Sequence, residues 1–239
     1  MSDIKHEELF SIRNSDFSYK DEIKPQAVLQ ILEEVAGRHA EELGIGYLDM
    51  KALNFAWVVV RTRVEITGSL TNGNNGYVLT YPSKPSRIDS DRNYIIYDMN
   101  HNECVKAIQK WIVIDYTSRR IQRLSSINFP EGASEETVLP SLSKIHLDEN
   151  ANLVNKVEIK TCINDLDHNG HVNNARYAEF VFNTFDLDEK RKLSAFECEY
   201  IKELKYNEDA YLMYDNTREN YALYNSNNEL SFIMRIEWR

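Results

Sequence analysis

Long apolar runs, basic clusters and closely spaced cysteines are all scarce in this 239-residue sequence, and each shortage removes a class of function. No stretch approaches the roughly 20 consecutive apolar residues that a membrane helix requires. The opening segment, Met1 to Phe10, is too charged for a secretory signal, so the expected location is cytoplasmic. The formal net charge of -10 argues against general nucleic-acid binding, because neutralising phosphates takes Lys and Arg clustered over a basic face. Three cysteines, Cys104, Cys162 and Cys198, are an odd number scattered without C-x-x-C spacing, which suggests neither a disulfide framework nor a zinc knuckle. Each lies in an apolar, strand-like run and is expected to be a buried, reduced thiol.

What is present is core material. An apolar fraction of 42% can fill one large domain or two small ones. From Pro25 to Leu43, the residues Val28, Leu29, Leu32, Val35, Ala36, His39, Ala40 and Leu43 recur at helical spacing. Pro25 suits the first turn, where its missing N–H costs nothing, and Gly44 and Gly46 supply the stop. His39 falls on the apolar stripe and is read as a core histidine.

Strand-like runs follow at Phe55 to Thr67, Tyr77 to Tyr81, Asn93 to Asp98 and Val105 to Tyr116, with a turn at Asn72 to Gly76. Between about Ser125 and Asn155 periodicity fades into Pro, Gly, Ser, Glu and Asp, which predicts a surface linker. The expected division is therefore a first domain over 1–125, a linker over 126–152 and a second domain over 153–239. The second half repeats the first in miniature. A strand with Val157, Ile159, Thr161 and Ile163 alternating leads to a polar loop, then to a helix from about Asn174 to Phe185. Strands return at Ala195 to Leu204, Ala210 to Asn216, Asn220 to Tyr224 and Leu230 to Trp238, the last with Leu230, Phe232, Met234, Ile236 and Trp238 on one face. One strand, one helix and a run of antiparallel strands, twice over, is an α+β tandem hot-dog pattern, each sheet wrapped around one central helix.

The most informative segment is the polar loop, Asp165-Leu166-Asp167-His168-Asn169-Gly170-His171-Val172-Asn173-Asn174, between a strand and a helix N-terminus. Unpaired N–H groups and the helix dipole there favour a developing oxyanion. Asp165, Asp167, Asn169 and Gly170 also match the start of a calcium loop, but the closing bidentate Glu is replaced by Arg176. Zinc through His168 and His171 lacks the rest of a ligand set. Asp165, Asn173 and Asn174 are read as caps and turn formers, whereas Asn169 and His171, ahead of the cap, carry an amide donor and a titratable imidazole suited to catalysis.

Here the sequence resembles the acyl-acyl-carrier-protein (acyl-ACP) thioesterases, whose signature is close to D-x-N-x-H-V-N-N-x-K/R-Y, read here from Asp167 to Tyr177. The resemblance extends to Gln30 to Gly46, to Ala56-Trp57-Val58, to Trp111 through Asp115 with Thr117, Arg119 and Arg120, and to Glu199-Tyr200-Ile201-Lys202-Glu203. It implies that Asp167, Asn169, His171 and Glu203 form the catalytic set in the second domain, while the first supplies much of the acyl pocket. Trp57, Asn174, Arg176 and Tyr177 are the expected substrate contacts. Plant members carry a Cys directly after the Glu; Leu204 stands there in this sequence, so no thiol can act at that place.

The implied activity is hydrolysis of fatty acyl-ACP thioesters, releasing free fatty acid and ending chain elongation in fatty acid biosynthesis, without a cofactor. An acyl-coenzyme A thioesterase of the same fold and a non-catalytic acyl-binding module are the alternatives. The acylated carrier protein is the expected partner, with Arg119, Arg120, Arg123, Arg176, Lys202 and Lys205 as docking candidates. Association into a homodimer is left open. Alternation puts Glu197, Glu199, Ile201 and Glu203 on one side of their strand, a face that reads as solvated without the resemblance. The first domain has Asp21-Glu22-Ile23-Lys24-Pro25 in its own strand-to-helix loop, so one active site per chain is expected.

Overall fold

The computed structural model describes residues 4–70, 75–147, 151–167, 169–186 and 190–239, which divide into two compact units, 1–142 and 143–239. Part of the expected turn at Asn72 to Gly76 and part of the linker lie outside the described residues. Asn75 and Gly76 already belong to a strand.

The first unit opens with β1 (His6–Ser11) and then α1 (Pro25–Glu42). Pro25 occupies the start of α1, and Gly44 closes it at φ 69°, a left-handed conformation that costs glycine no Cβ clash. The end is sealed by Ile45 N–H to Ala40 C=O at 3.0 Å and Gly44 N–H to Glu41 C=O at 3.1 Å. A short α2 (Tyr47–Ala52), unforeseen in the sequence, precedes β2 (Phe55–Ile66), β3 (Asn75–Pro82), β4 (Asp89–Tyr97) and β5 (Glu103–Asp115). These strands pair antiparallel in the order β1-β3-β4-β5-β2.

The stripe of α1 that the periodicity picks out is its buried face, with Val28, Leu29, Leu32 and Val35 at most 1% exposed. Truncating Leu32 to alanine opens a cavity that close-packed neighbours fill only in part. Urea unfolding should report a loss of about 2–5 kcal/mol; a loss under about 1 kcal/mol would show that the stripe is loosely packed.

Polar groups are threaded through the same unit. The Tyr94 hydroxyl donates to Gln109 Oε1 at 2.6 Å, and Gln109 Nε2 donates to Thr62 Oγ1 at 3.3 Å. His39 is buried, with its Nδ1 3.0 Å from an Arg92 guanidinium nitrogen, which assigns it the structural place expected from its position on the stripe. The expected linker is only partly a linker. Ile127 packs with Met50, Val113 and Leu124, and Leu139 and Leu142 pack on Ile108, so the chain through Leu142 completes the first core. Apolar residues spaced too irregularly to show a period are nonetheless buried there.

The second unit holds β6 (Asn155–Lys160), α3 (Asn174–Phe182), β7 (Leu193–Tyr200), β8 (Asp209–Tyr214), β9 (Asn220–Tyr224) and β10 (Leu230–Trp238). The strand order is β7-β10-β9-β8-β6, all antiparallel. Strand β10 lies between β7 and β9, and Ser231 and Ile233 are buried along with Phe232, Met234 and Ile236, so both faces are covered and its alternation is lost. Each unit is thus an antiparallel sheet with one principal helix, the tandem hot-dog arrangement that the sequence pattern predicts.

Several expectations are corrected: β6 ends at Lys160, so Thr161 and Ile163 fall beyond the strand, Ile163 on a 3-10 turn. Cys104 and Cys198 are buried, but Cys162 is exposed, because β6 ends at Lys160 and Cys162 begins a 3-10 turn. Strand β7 ends at Tyr200, so Glu203 lies on the loop beyond it instead of on the strand. The Glu199 side is not a solvated face either. Glu199 is 5% exposed, and its carboxylate accepts the Ile145 N–H at 2.6 Å. No helix among the described residues is long and apolar enough to cross a membrane.

Candidate active site

The loop between β6 and α3 is built by its own short side chains. Asp165 is buried at 2% exposure and forms the floor. Its carboxylate accepts the Cys162 N–H at 2.7 Å and the Arg176 Nε–H at 2.8 Å, and its C=O accepts the Asn173 N–H at 2.8 Å. Burial alone would raise its pKa; the Cys162 bonds and the Arg176 guanidinium outweigh that and hold the group below the usual carboxylate range. Both Asp165 and Arg176 are thereby engaged inside the protein, Arg176 further through an ion pair with Glu179. The calcium-loop likeness is accounted for by this internal use of its first acid.

Above the floor, Asp167 and residues 169–171 are bonded to one another. Asp167 N–H donates to His171 C=O at 2.8 Å, Gly170 N–H donates to Asp167 C=O at 3.1 Å, and Leu166 and Val172 form an antiparallel bridge. The Asp167 carboxylate completes the turn: one oxygen accepts the N–H of Asn169 at 2.8 Å and that of His171 at 3.1 Å. Gly170 sits at φ 80°, a conformation that a side chain would strain. Asn173 then caps α3, its side-chain oxygen accepting the Ala175 N–H at 2.8 Å. His168 lies outside the described residues.

This folding lifts two groups toward solvent. Asn169 is exposed, with its side-chain amide 3.5 Å from the second Asp167 oxygen. The His171 imidazole Nε2 stands 3.5 Å from Glu203 Oε2, with side-chain exposures of 31% and 42%. Three of the four expected catalytic residues, Asp167, Asn169 and His171, thus share one tight turn, and Glu203 meets it from the loop after β7.

The expected substrate contacts are placed differently from one another. Asn174 is the first residue of α3 and half-buried. Tyr177 is 2% exposed, packed edge-on to Tyr200 with ring centres 5.7 Å apart; burial pushes its phenol pKa up, and its hydroxyl oxygen accepts the Leu204 N–H at 2.8 Å. Trp57, in the first unit, is half-buried beside Trp111 and Phe129 and donates its indole N–H to Ile45 C=O at 3.0 Å. The link from Tyr177 to Leu204 had no signal in the sequence, since the two are 27 positions apart.

The tandem hot-dog chain thus carries an acid, an amide, an imidazole and a second acid gathered at a strand-to-helix turn. Sequence models describe the chain directly: the acyl-ACP thioesterase N-terminal domain matches residues 3–126 and the C-terminal domain matches residues 148–238. The protein belongs to the acyl-ACP thioesterase family. Among curated relatives, the oleoyl-acyl carrier protein thioesterase of Coriandrum sativum is 26% identical over 74% of this chain and 53% of its own length. Oleoyl-acyl carrier protein thioesterase 1 of Arabidopsis thaliana is 24% identical over 84% of this chain and 60% of its own. Both are chloroplastic, and the chain spans only 53–60% of their length.

Solved structures share the fold end to end. An acyl-ACP thioesterase from Bacteroides thetaiotaomicron superposes with a TM-score of 0.88 at 20% identity, covering 99% of this chain and 98% of its own. The 12:0-ACP thioesterase of Umbellularia californica gives 0.82 at 21% identity, covering 100% and 98%.

Proposed function

We propose that this chain is a cytoplasmic thioester hydrolase that cleaves fatty acyl groups from acyl carrier protein, ending chain elongation in fatty acid synthesis. The observation that carries the reading is the pairing of His171 with Glu203 at 3.5 Å beside the exposed Asn169 amide, in a chain of this family. Water attacks the thioester carbonyl carbon while the His171–Glu203 pair takes its proton. The carbonyl oxygen becomes an oxyanion, for which the exposed Asn169 side-chain amide is the donor on the turn. Collapse of the tetrahedral intermediate breaks the C–S bond. The thiolate leaves readily, since a thiol of this kind has a pKa of roughly 8.5, and takes up a proton to give the free carrier thiol and the fatty acid.

Asp167 acts differently from the others. One of its oxygens already accepts two N–H groups of the turn, so its task is to hold Asn169 and His171 in place. Trp57 is proposed to contact the acyl chain and Asn174 to face the thioester end. The Arg176 guanidinium is committed to Asp165 and Glu179, and Lys202 is paired with Glu229, so the exposed Arg120, Arg123 and Lys205 are the stronger docking candidates for an acidic carrier.

The distinguishing experiment compares acyl carrier protein with acyl-coenzyme A at equal chain length and rising salt. The proposal expects kcat/KM to favour the carrier and to fall as salt screens the docking charges over a Debye length of about 10 Å at 0.1 M. Preference for the coenzyme A ester, with a flat salt profile, would assign the chain to acyl-coenzyme A instead. Binding without turnover of either would make it a non-catalytic acyl-binding module.

A further inference from the structure

We propose that Tyr177 is a positioning residue for hydrolysis: its buried hydroxyl clamps the peptide of Leu204 and so fixes Glu203 against His171. The inference rests on the reading of Glu203 as part of the reacting pair. Glu203 is carried by a loop with no regular structure of its own, yet it must meet an imidazole held on a different segment. Something has to join the two.

The join is Leu204. Its N–H donates to the Tyr177 hydroxyl oxygen at 2.8 Å, and its C=O accepts the N–H of Val172 at 3.3 Å. Val172 directly follows His171, so one residue, next to Glu203 in the chain, is tied through its C=O to the His171 segment and through its N–H to α3. The Leu204 side chain is wholly buried, which turns the neighbouring Glu203 outward. Further back, Ile201 N–H and Lys202 N–H both donate to Ser231 C=O at 2.9 and 3.0 Å, and the Thr161 hydroxyl donates to Lys205 C=O at 2.5 Å. The loop is thus pinned before and after Glu203.

Tyr177 is itself immobile. Its ring packs on Tyr200 and Phe232 with centres 5.7 and 5.2 Å away, and it is 2% exposed. A side chain so enclosed offers substrate almost no surface, and the polar atom at its end is spent on a backbone donor. The last residue of the D-x-N-x-H-V-N-N-x-K/R-Y stretch therefore acts through Glu203 and not by touching the thioester.

The test removes one oxygen. Tyr177→Phe keeps the ring and leaves Leu204 N–H without its acceptor. It is expected to lower kcat by about tenfold, with KM for acyl carrier protein unchanged. In a Glu203→Gln background the same change should cost nothing further, because there is no longer a carboxylate to position. A purely structural tyrosine would lower the melting temperature and leave kcat per folded molecule as it was.

A Tyr177→Phe kcat within about twofold of the parent, or an equal proportional loss in both backgrounds, would overturn the proposal. The result for Glu203→Gln alone separates the two layers. Near-parental turnover there removes Glu203 from the chemistry, and the clamp's purpose with it; a strong loss there with a normal Tyr177→Phe enzyme defeats the clamp alone. Hydrogen exchange on the unaltered chain gives a measurement free of folding effects. The Leu204 amide should be protected alongside those of β10, and exchange at the rate of an open loop would contradict the clamp.

Discussion

His171→Ala is expected to lower kcat by about 10²-fold or more, and Glu203→Gln by a similar factor, with the fold retained in both. The argument is geometric. The imidazole and the carboxylate are 3.5 Å apart and both reach solvent, so a water beside them has a base within reach. Hydrogen bonds of this kind are often long in the unliganded enzyme and shorten with substrate bound. Retention of the fold follows from what each side chain does not do: neither is buried in the core, and the backbone of His171 is held through its N–H and C=O, which alanine keeps. Steady-state kinetics with circular dichroism on the same samples checks both halves. Combining the two substitutions should cost little more than either alone, because groups acting as a unit are not additive.

Asp167→Ala is expected to lower kcat by about 10²-fold through displacement alone, since a shift near 1 Å in a reacting group can cost that much. Removing the carboxylate releases the N–H groups of Asn169 and His171 together and loosens a turn that already depends on Gly170 at φ 80°. Asp167→Asn discriminates between roles. An asparagine oxygen accepts the same two N–H groups and supports the same turn, so this variant should keep activity within about tenfold of the parent. If Asp167 were the base, asparagine would be as damaging as alanine.

The contrast between these variants reflects how the site was encoded. Asp167, Asn169 and His171 were legible because they sit within five residues of each other, just ahead of a helix, where a local motif is the whole device. Helix α1 was legible for a similar reason: its buried stripe from Val28 to Val35 follows one period and has a proline and a glycine at its ends. Strand β10 could be located but its environment could not. Alternation predicts one buried face, whereas Ser231 and Ile233 on the other face are buried as well, and what covers a second face is set by packing that no period within the strand encodes.

The rest depended on contacts between distant segments. Glu203 looked like one more member of a strand face with Glu197 and Glu199. In the structure the strand stops at Tyr200, Glu199 turns inward to the Ile145 N–H, and Glu203 is left on a pinned loop. No period in the sequence distinguishes those fates. The chain from Ser125 to Leu142 reads as a linker because it is rich in turn formers, yet its scattered apolar residues Ile127, Leu139 and Leu142 close the first core. Short elements such as α2 offer too few residues for any period to register.

The most direct measurement of the central claim is release of free thiol from acyl carrier protein bearing acyl chains of graded length, by the intact chain beside its His171→Ala variant. The account predicts steady turnover by the parent on at least one chain length, and a rate about 10²-fold lower or less for the variant on that same substrate. Equal rates from the two proteins, or no thiol released by the parent from any acyl chain, would contradict it.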